Sequence, residues 1–156
     1  MAGEMNRTEK KIARLAAKEL SAKLRTTNVI RQFGFELLEA DVHHVVLRMR
    51  VTPRHLQVHG VVHGGVMAAL VDSAGGLSVY LHLPPGSRVA TVEMKINYLE
   101  GVEKGIVKAD ARVIRLGRHF AVVDCDVREA DGRMCAKALM TFAVMHRGPK
   151  TKGRRG

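Results

Sequence analysis

Asp72 is the single carboxylate in an otherwise apolar stretch, His63-Gly64-Gly65-Val66-Met67-Ala68-Ala69-Leu70-Val71-Asp72-Ser73-Ala74-Gly75-Gly76-Leu77-Ser78-Val79-Tyr80. A carboxylate is almost never buried without a partner or a task. On such a helix Asp72 can act as a general base toward water or as a nucleophile toward an activated acyl group. A structural Asp would instead cap a loop or pair with a basic side chain. Gly64 and Gly65 stand where the stretch begins. The first N–H groups of a helix have no partner inside it and lie at the positive end of its dipole. With no Cβ in the way, a ligand carbonyl can approach those donors, as stabilisation of an oxyanion in acyl transfer requires. Two glycines alone serve a tight turn into the helix equally well; their company with Asp72 points to acyl chemistry.

Gly65 and Asp72 are seven residues apart, which puts them on one helix face but roughly 10 Å apart along the axis. Attack on a carbonyl needs contacts of about 3 Å, so one carbonyl cannot use both groups of one helix. Two antiparallel copies can bring Gly65 of one chain against Asp72 of the other. The spacing therefore predicts a site shared between two subunits.

The elements that must hold these groups follow from pattern. The helix is predicted from about 64 to 81, entered through the His- and Gly-rich loop 54–62 and stopped by Pro84-Pro85-Gly86. Before it, residues 33–38 and 45–51 read as two strands reversing near Ala40-Asp41, with Val45, Leu47, Met49 and Val51 alternating with other residues. After it come strands at about 88–99, 105–116, 119–129 and 133–145. In the first, Val92, Met94, Ile96 and Tyr98 are expected on one face and Thr91, Glu93, Lys95 and Asn97 on the other. Asp131-Gly132 signals a two-residue hairpin turn. Pairing Ala130 with Arg133 sets Ala121, Val123, Cys125 and Val127 opposite Phe142, Met140, Ala138 and Ala136, so one face becomes apolar. The same register sends Cys135 to the other face, which argues against a disulfide and for two reduced core thiols.

Residues 8–25 form an amphipathic pattern, with Ile12, Leu15, Leu20 and Leu24 on one side and Lys10, Lys11, Arg14, Lys18 and Lys23 toward the other. The tail after Met145 is basic and free of acids, and reads as mobile. The order of elements, without internal repeat or βα alternation, predicts an α+β architecture: a curved antiparallel sheet wrapped around one central helix, with an extra N-terminal helix. Residues 1–31 are the N-terminal helix and lead-in, 32–146 the domain, and 147–156 the tail. One sheet covers only part of the helix, and Ala68, Ala69, Ala74, Gly75 and Gly76 are expected on the face left for a second copy.

The 156 residues suffice for one domain with a sizeable core. The net charge of +11 favours an anionic partner: a phosphorylated cofactor, a nucleic acid or an acidic membrane surface. No run is long and apolar enough to span a bilayer or act as a signal peptide, and Glu4, Glu9 and Glu19 count against a transit peptide, so a cytoplasmic protein is expected. No metal is predicted, because His, Cys and carboxylates show no ligand spacing; His43 and His44 would face opposite ways on a strand. There is no Gly-x-Ser-x-Gly elbow either.

Gly60-Val61-Val62-His63-Gly64-Gly65, Asp72-Ser73-Ala74 nine residues after the histidine, the strand Val89–Tyr98 and Leu116-Gly117-Arg118 together resemble the small hotdog-fold acyl-CoA thioesterases of the phenylacetate-pathway (PaaI-like) type. The resemblance covers about residues 33–145 and implies a hotdog fold. It implies that Asp72 is the catalytic base or nucleophile, that the Gly65 N–H polarises the thioester carbonyl, and that Thr91 helps to place the water. His63 would either hold the thioester end of the substrate or make a hydrogen bond at the helix start. Where the family usually carries Asn six residues before that histidine, this chain has Gln57, an amide of longer reach. The substrates implied carry coenzyme A, whose phosphates suit the basic balance; Gly64 and the group Arg115, Gly117, Arg118 and His119 are the candidate substrate- and CoA-binding residues. No cofactor beyond the CoA of the substrate is implied. The expected partner is a second copy, as a homodimer or as a dimer of dimers, a homotetramer. A non-catalytic acyl-CoA-binding or regulatory module stands as the alternative; nucleic-acid binding is disfavoured because the basic residues lack interleaved aromatics.

Overall fold

The chain, seen in a computed structural model that describes residues 20–21, 24, 26–84 and 86–146, runs through α1 (Asn28–Phe33), β1 (Phe35–Ala40), β2 (Val45–Arg50), a single 3-10 turn (Pro53–His55), α2 (Gly64–Tyr80), β3 (Arg88–Tyr98), β4 (Ile106–Leu116), β5 (Phe120–Glu129) and β6 (Met134–Met145). The strands form one six-stranded sheet in the order β1-β2-β4-β5-β6-β3, and every pair is antiparallel. The crossover from β2 to the far edge strand β3 is made by α2. Val66, Met67, Leu70, Val71, Ala74 and Val79 of α2 are buried against the sheet. Ala109 and Ala111 of β4, the strand beneath the helix, are fully buried, and their small side chains let the helix lie close.

The expected helix and six strands are present, with ends within two residues of the predicted ones. Ala121, Val123, Cys125 and Val127 pair with Phe142, Met140, Ala138 and Ala136, all of them buried. Both cysteines are free and buried. Burial and the nearby carboxylates Asp110, Asp126 and Asp124 push the Cys125 thiol far up, so it stays protonated and inert. Of the amphipathic pattern 8–25, most lies outside the described residues, but Leu20 and Leu24 are buried in the core. The basic tail 147–156 lies outside them too.

Five expectations are corrected. First, α1 replaces the start of the predicted first strand: Gly34 closes it in the left-handed conformation (φ 66°), its N–H reaching back to Arg31 and Ile30. A Gly at that position ends a helix without steric cost. Second, the turn between β5 and β6 has three residues, because Glu129 donates to the Arg133 carbonyl and Gly132, at φ 92°, donates to that of Glu129. The register recovers one step later, where Arg128 pairs with Met134 but Val127 with Ala136, leaving Cys135 as a bulge. Third, the pairing of β3 with β6 shifts between Thr91 and Glu93, so Val92 is an extra residue and is exposed. Thr91 thereby pairs with buried Phe142 and joins Met94, Ile96 and Tyr98 on the helix side instead of opposing them.

Fourth, His43 and His44 precede β2 in a turn where both backbone N–H groups donate to Asp41 Oδ1. Fifth, Ala74 and Gly75 face the chain's own sheet. A Cβ on Gly75 would come within 2.6 Å of Met140 Cε and 3.0 Å of Phe142 Cζ, so any larger residue there forces those buried side chains to move. The stripe that the sheet leaves open is Gly65, Ala68, Ala69, Asp72, Ser73, Gly76 and Leu77.

Candidate active site

The start of α2 is fastened by its leading loop. His55 is buried, its Nδ1 accepting from the Thr52 N–H at 3.1 Å and its carbonyl accepting from the His63 N–H at 2.8 Å. Leu56 bridges to Val62, Gln57 N–H donates to Val61, and Gly60 turns the tip at φ 80°. Val62 N–H is in turn bonded to the Val102 carbonyl at 2.7 Å. Burial, then the neighbouring Arg54 charge, hold His55 below the ordinary imidazole range, against a smaller upward pull from a bond to the Phe33 backbone.

His63 is the N-cap of α2, and its Nδ1 accepts the Gly65 N–H at 2.9 Å. This is the helix-start bond, one of the two roles open to His63, and it occupies the donor expected to polarise a carbonyl. The Gly64 carbonyl accepts the Tyr98 hydroxyl at 2.9 Å, and the Tyr98 ring lies 3.3 Å from where a Gly64 Cβ would be. A larger residue at 64 would press on the Tyr98 ring and strain its bond to the Gly64 carbonyl. Gln57 turns its side chain back into its own loop, where Oε1 accepts the His59 N–H at 2.8 Å.

Two turns farther along, Asp72 Oδ1 accepts the Thr91 hydroxyl at 2.6 Å. The bulge at Val92 is what turns Thr91 toward the helix. A hydroxyl donating at this distance holds the carboxylate as an acceptor and leaves its other oxygen to a ligand. Asp72 was expected to be buried; within one chain it is half-buried, because it lies on the stripe that the sheet does not cover. The pair opens onto a cleft of about 460 Å³ walled by α1, by the later turns of α2 and by the start of β3. Sequence reasoning missed Ser73, Val29 and Ile30, which also line this cleft. Gly34, as a helix stop, was the signal that would have revealed α1 and its wall.

The structure thus gathers Gln57, His63, Gly64 and Gly65 at one end of α2 and joins Asp72 to Thr91 farther along it. Arg115, Arg118 and His119 are exposed at the end of β4 and in the turn to β5, where Gly117 N–H closes the turn onto Phe120. Leu116, Ala121, Phe142 and Thr91 form one row across the sheet, so this basic turn lies at the Thr91 end. None of the four turn residues lines the cleft. Among the described residues no three His, Cys, Asp or Glu side chains converge as for a metal ion, and no helix is long and apolar enough to cross a membrane.

Residues 59–136 match the family described as the thioesterase superfamily. A protein of Haemophilus influenzae named a putative esterase is 31% identical over 121 residues, spanning 78% of this chain and 88% of its own length. The proofreading thioesterase EntH of Cronobacter turicensis is 30% identical over 114 residues, 73% of this chain and 78% of that protein. Among solved structures, a thioesterase of Haemophilus influenzae superposes with a TM-score of 0.79 at 29% identity, over 86% of this chain and 94% of that one. The PaaI protein of the E. coli phenylacetic acid degradation operon also reaches 0.79, over 88% and 97% of the chains, and at 20% identity this likeness concerns the fold alone.

Proposed function

This chain belongs to the thioesterase superfamily and is a thioesterase of the hotdog fold; from that premise we propose that it hydrolyses acyl-CoA thioesters to the free acid and CoA at a site shared between two copies of the chain. The observation that carries the proposal is the Asp72–Thr91 pair at a ligand-sized cleft, with Gly65 roughly 10 Å away along the same helix. A second copy supplies the missing donor. The edge strand β3 supports this arrangement, since among the described residues its outer side has no neighbour in the sheet and it can pair with the same strand of another copy.

In the proposed reaction the free oxygen of Asp72 takes a proton from water as the water oxygen bonds to the thioester carbon. The carbonyl electron pair moves onto oxygen, where the Gly65 N–H of the second copy meets it. Collapse of the tetrahedral centre breaks the C–S bond, and the CoA thiolate leaves with the proton that Asp72 took from water, which restores the carboxylate. If Asp72 attacks directly, the same geometry gives a mixed anhydride that water then opens. Thr91 positions the carboxylate in either course. The His63 ring yields its bond with Gly65 to the incoming carbonyl, and the Gln57 amide stands at the same end of the helix. Arg115, Arg118 and His119, on the turn made by Gly117, meet the phosphates of CoA. The same reading has the enzyme work in the cytoplasm without metal or redox cofactor, as a dimer or a dimer of dimers, through the domain 32–146.

The test is thiol release from a panel of acyl-CoAs. Wild type is expected to turn over, and Asp72→Asn to fall by about 10²–10⁴-fold with its melting temperature kept. Wild-type activity on simple esters with none on any acyl-CoA would refute the CoA assignment.

A further inference from the structure

Gly75 and Gly76 are neighbours on α2 and have different reasons to be glycine. At Gly75 a Cβ would strike Met140. At Gly76 a Cβ would meet, among the described residues, only Phe142 Cε1, at 3.6 Å, an ordinary contact, and the backbone is helical. Neither packing against the described residues nor conformation asks for glycine there, and glycine is among the least favourable residues inside a helix. What an added side chain would enter is the cleft, because Gly76 lies one turn beyond Asp72 and lines it.

The cleft follows the helix from Asp72 past Gly76 to Tyr80, eight residues or roughly 12 Å. Its walls are Leu77 of α2, Val29 and Ile30 of α1, and Val89 and Phe142 of the sheet. An extended chain advances about 1.2 Å per bond, judged from the reach of three backbone bonds per residue, so this length takes about ten bonds. Thr27, Ser73, Ser87 and Arg88 add polar groups to the same cleft, but its run of apolar side chains from a reactive carboxylate onward fits a straight hydrocarbon tail.

Resting on the thioesterase reading above, we propose that this cleft is the acyl pocket, that it takes an unbranched aliphatic chain of about eight to ten carbons, and that Gly76 sets its width while α1 forms its outer wall. The preference is then written largely into the chain's own N-terminal region. Arg88 also lines the cleft, exposed at the start of β3.

The test uses the full chain with three variants: Gly76→Leu, which fills the floor; Gly76→Ala, which narrows it with the least disturbance; and Val29→Trp, at a half-exposed wall position. The readout is the ratio of kcat/KM for decanoyl-CoA to that for acetyl-CoA, together with the affinity for the thioether S-decyl-CoA relative to CoA. In wild type, kcat/KM is expected to climb with chain length up to about ten carbons and then fall. Gly76→Leu should lower the ratio at least about tenfold, and Gly76→Ala and Val29→Trp several-fold, with Gly76→Ala melting higher than wild type. An unchanged ratio in all three variants overturns the pocket assignment; a preference for ω-carboxylated chains would leave the pocket in place and overturn the hydrocarbon preference, because Arg88 of the same cleft would then read a second carboxylate. If no acyl-CoA is hydrolysed but S-decyl-CoA binding still weakens about tenfold in Gly76→Leu, the pocket stands and the proposed reaction fails.

Discussion

The two ends of α2 are built on opposite terms. Its first turn is held by the chain itself: the His63 ring on the Gly65 N–H, the Tyr98 hydroxyl on the Gly64 carbonyl, and the loop bonds from His55 to His63 and from Val62 to Val102. From Asp72 to Tyr80 the same helix shows a half-buried stripe to a cleft, and the bond from Thr91 fixes its carboxylate. The first end is a donor locked in place and the second an acceptor beside an open space. A tetrahedral intermediate needs both within contact distance, and one helix separates them. In the proposed reaction the difference between the ends calls for two chains, each lending its locked end to the other's open one.

The comparison breaks most sharply at Gly65. Replacing it by Pro removes the N–H at the second helical position, where a helix tolerates Pro, and is expected to cut thiol release by about 10²–10³-fold. Gly65→Ala keeps the donor; its Cβ would sit 3.1 Å from His63 Nδ1, so the exposed ring must shift slightly and the loss should be much smaller. Equal losses in Pro and Ala, measured as kcat/KM on one acyl-CoA, would mean that the backbone donor is not used.

A smaller effect separates the ends by pH. His55, which anchors the locked end, is held below the ordinary imidazole range by burial and by Arg54. The unfolded chain then binds the proton more readily than the folded one, so stability from the neutral ring is fully present above about pH 6.5 and is lost as pH falls through that value toward the lower folded pKa. Thermal melts between pH 8 and pH 5 should show this loss, and His55→Gln should flatten it. A profile with the same slope in both proteins would take His55 out of the account.

Much of this was legible in the sequence, for reasons that name themselves. Alternation along residues 119–145 is strong enough to set Ala121, Val123, Cys125 and Val127 opposite Phe142, Met140, Ala138 and Ala136, and the structure keeps those four pairs while the turn beyond them differs. The helix 64–80 is marked by its apolar run and by the prolines after it. What was not legible depends on contacts distant in sequence. The bulge at Val92 reverses the facing of Thr91, and nothing in the alternation of residues 88–98 marks it. Cys135 compensates for a longer turn at Gly132 in the same hidden way. The open stripe of α2 cannot be told from its covered face by composition, since Gly75 and Gly76 are identical in type and differ only in what stands opposite. The seven-residue separation of Gly65 and Asp72, by contrast, needed only helix geometry, and it bears the largest share of the functional argument.

The shared site is tested most directly by mixing two inactive proteins, Asp72→Asn and Gly65→Pro, after co-expression or after unfolding and refolding together. If each site takes Asp72 from one chain and Gly65 from the other, a mixed dimer has one site with both defects and one with neither, and a random mixture should regain about a quarter of wild-type activity. If both groups act within one chain, no combination of subunits contains an intact site, and the mixture will stay as inactive as its parts.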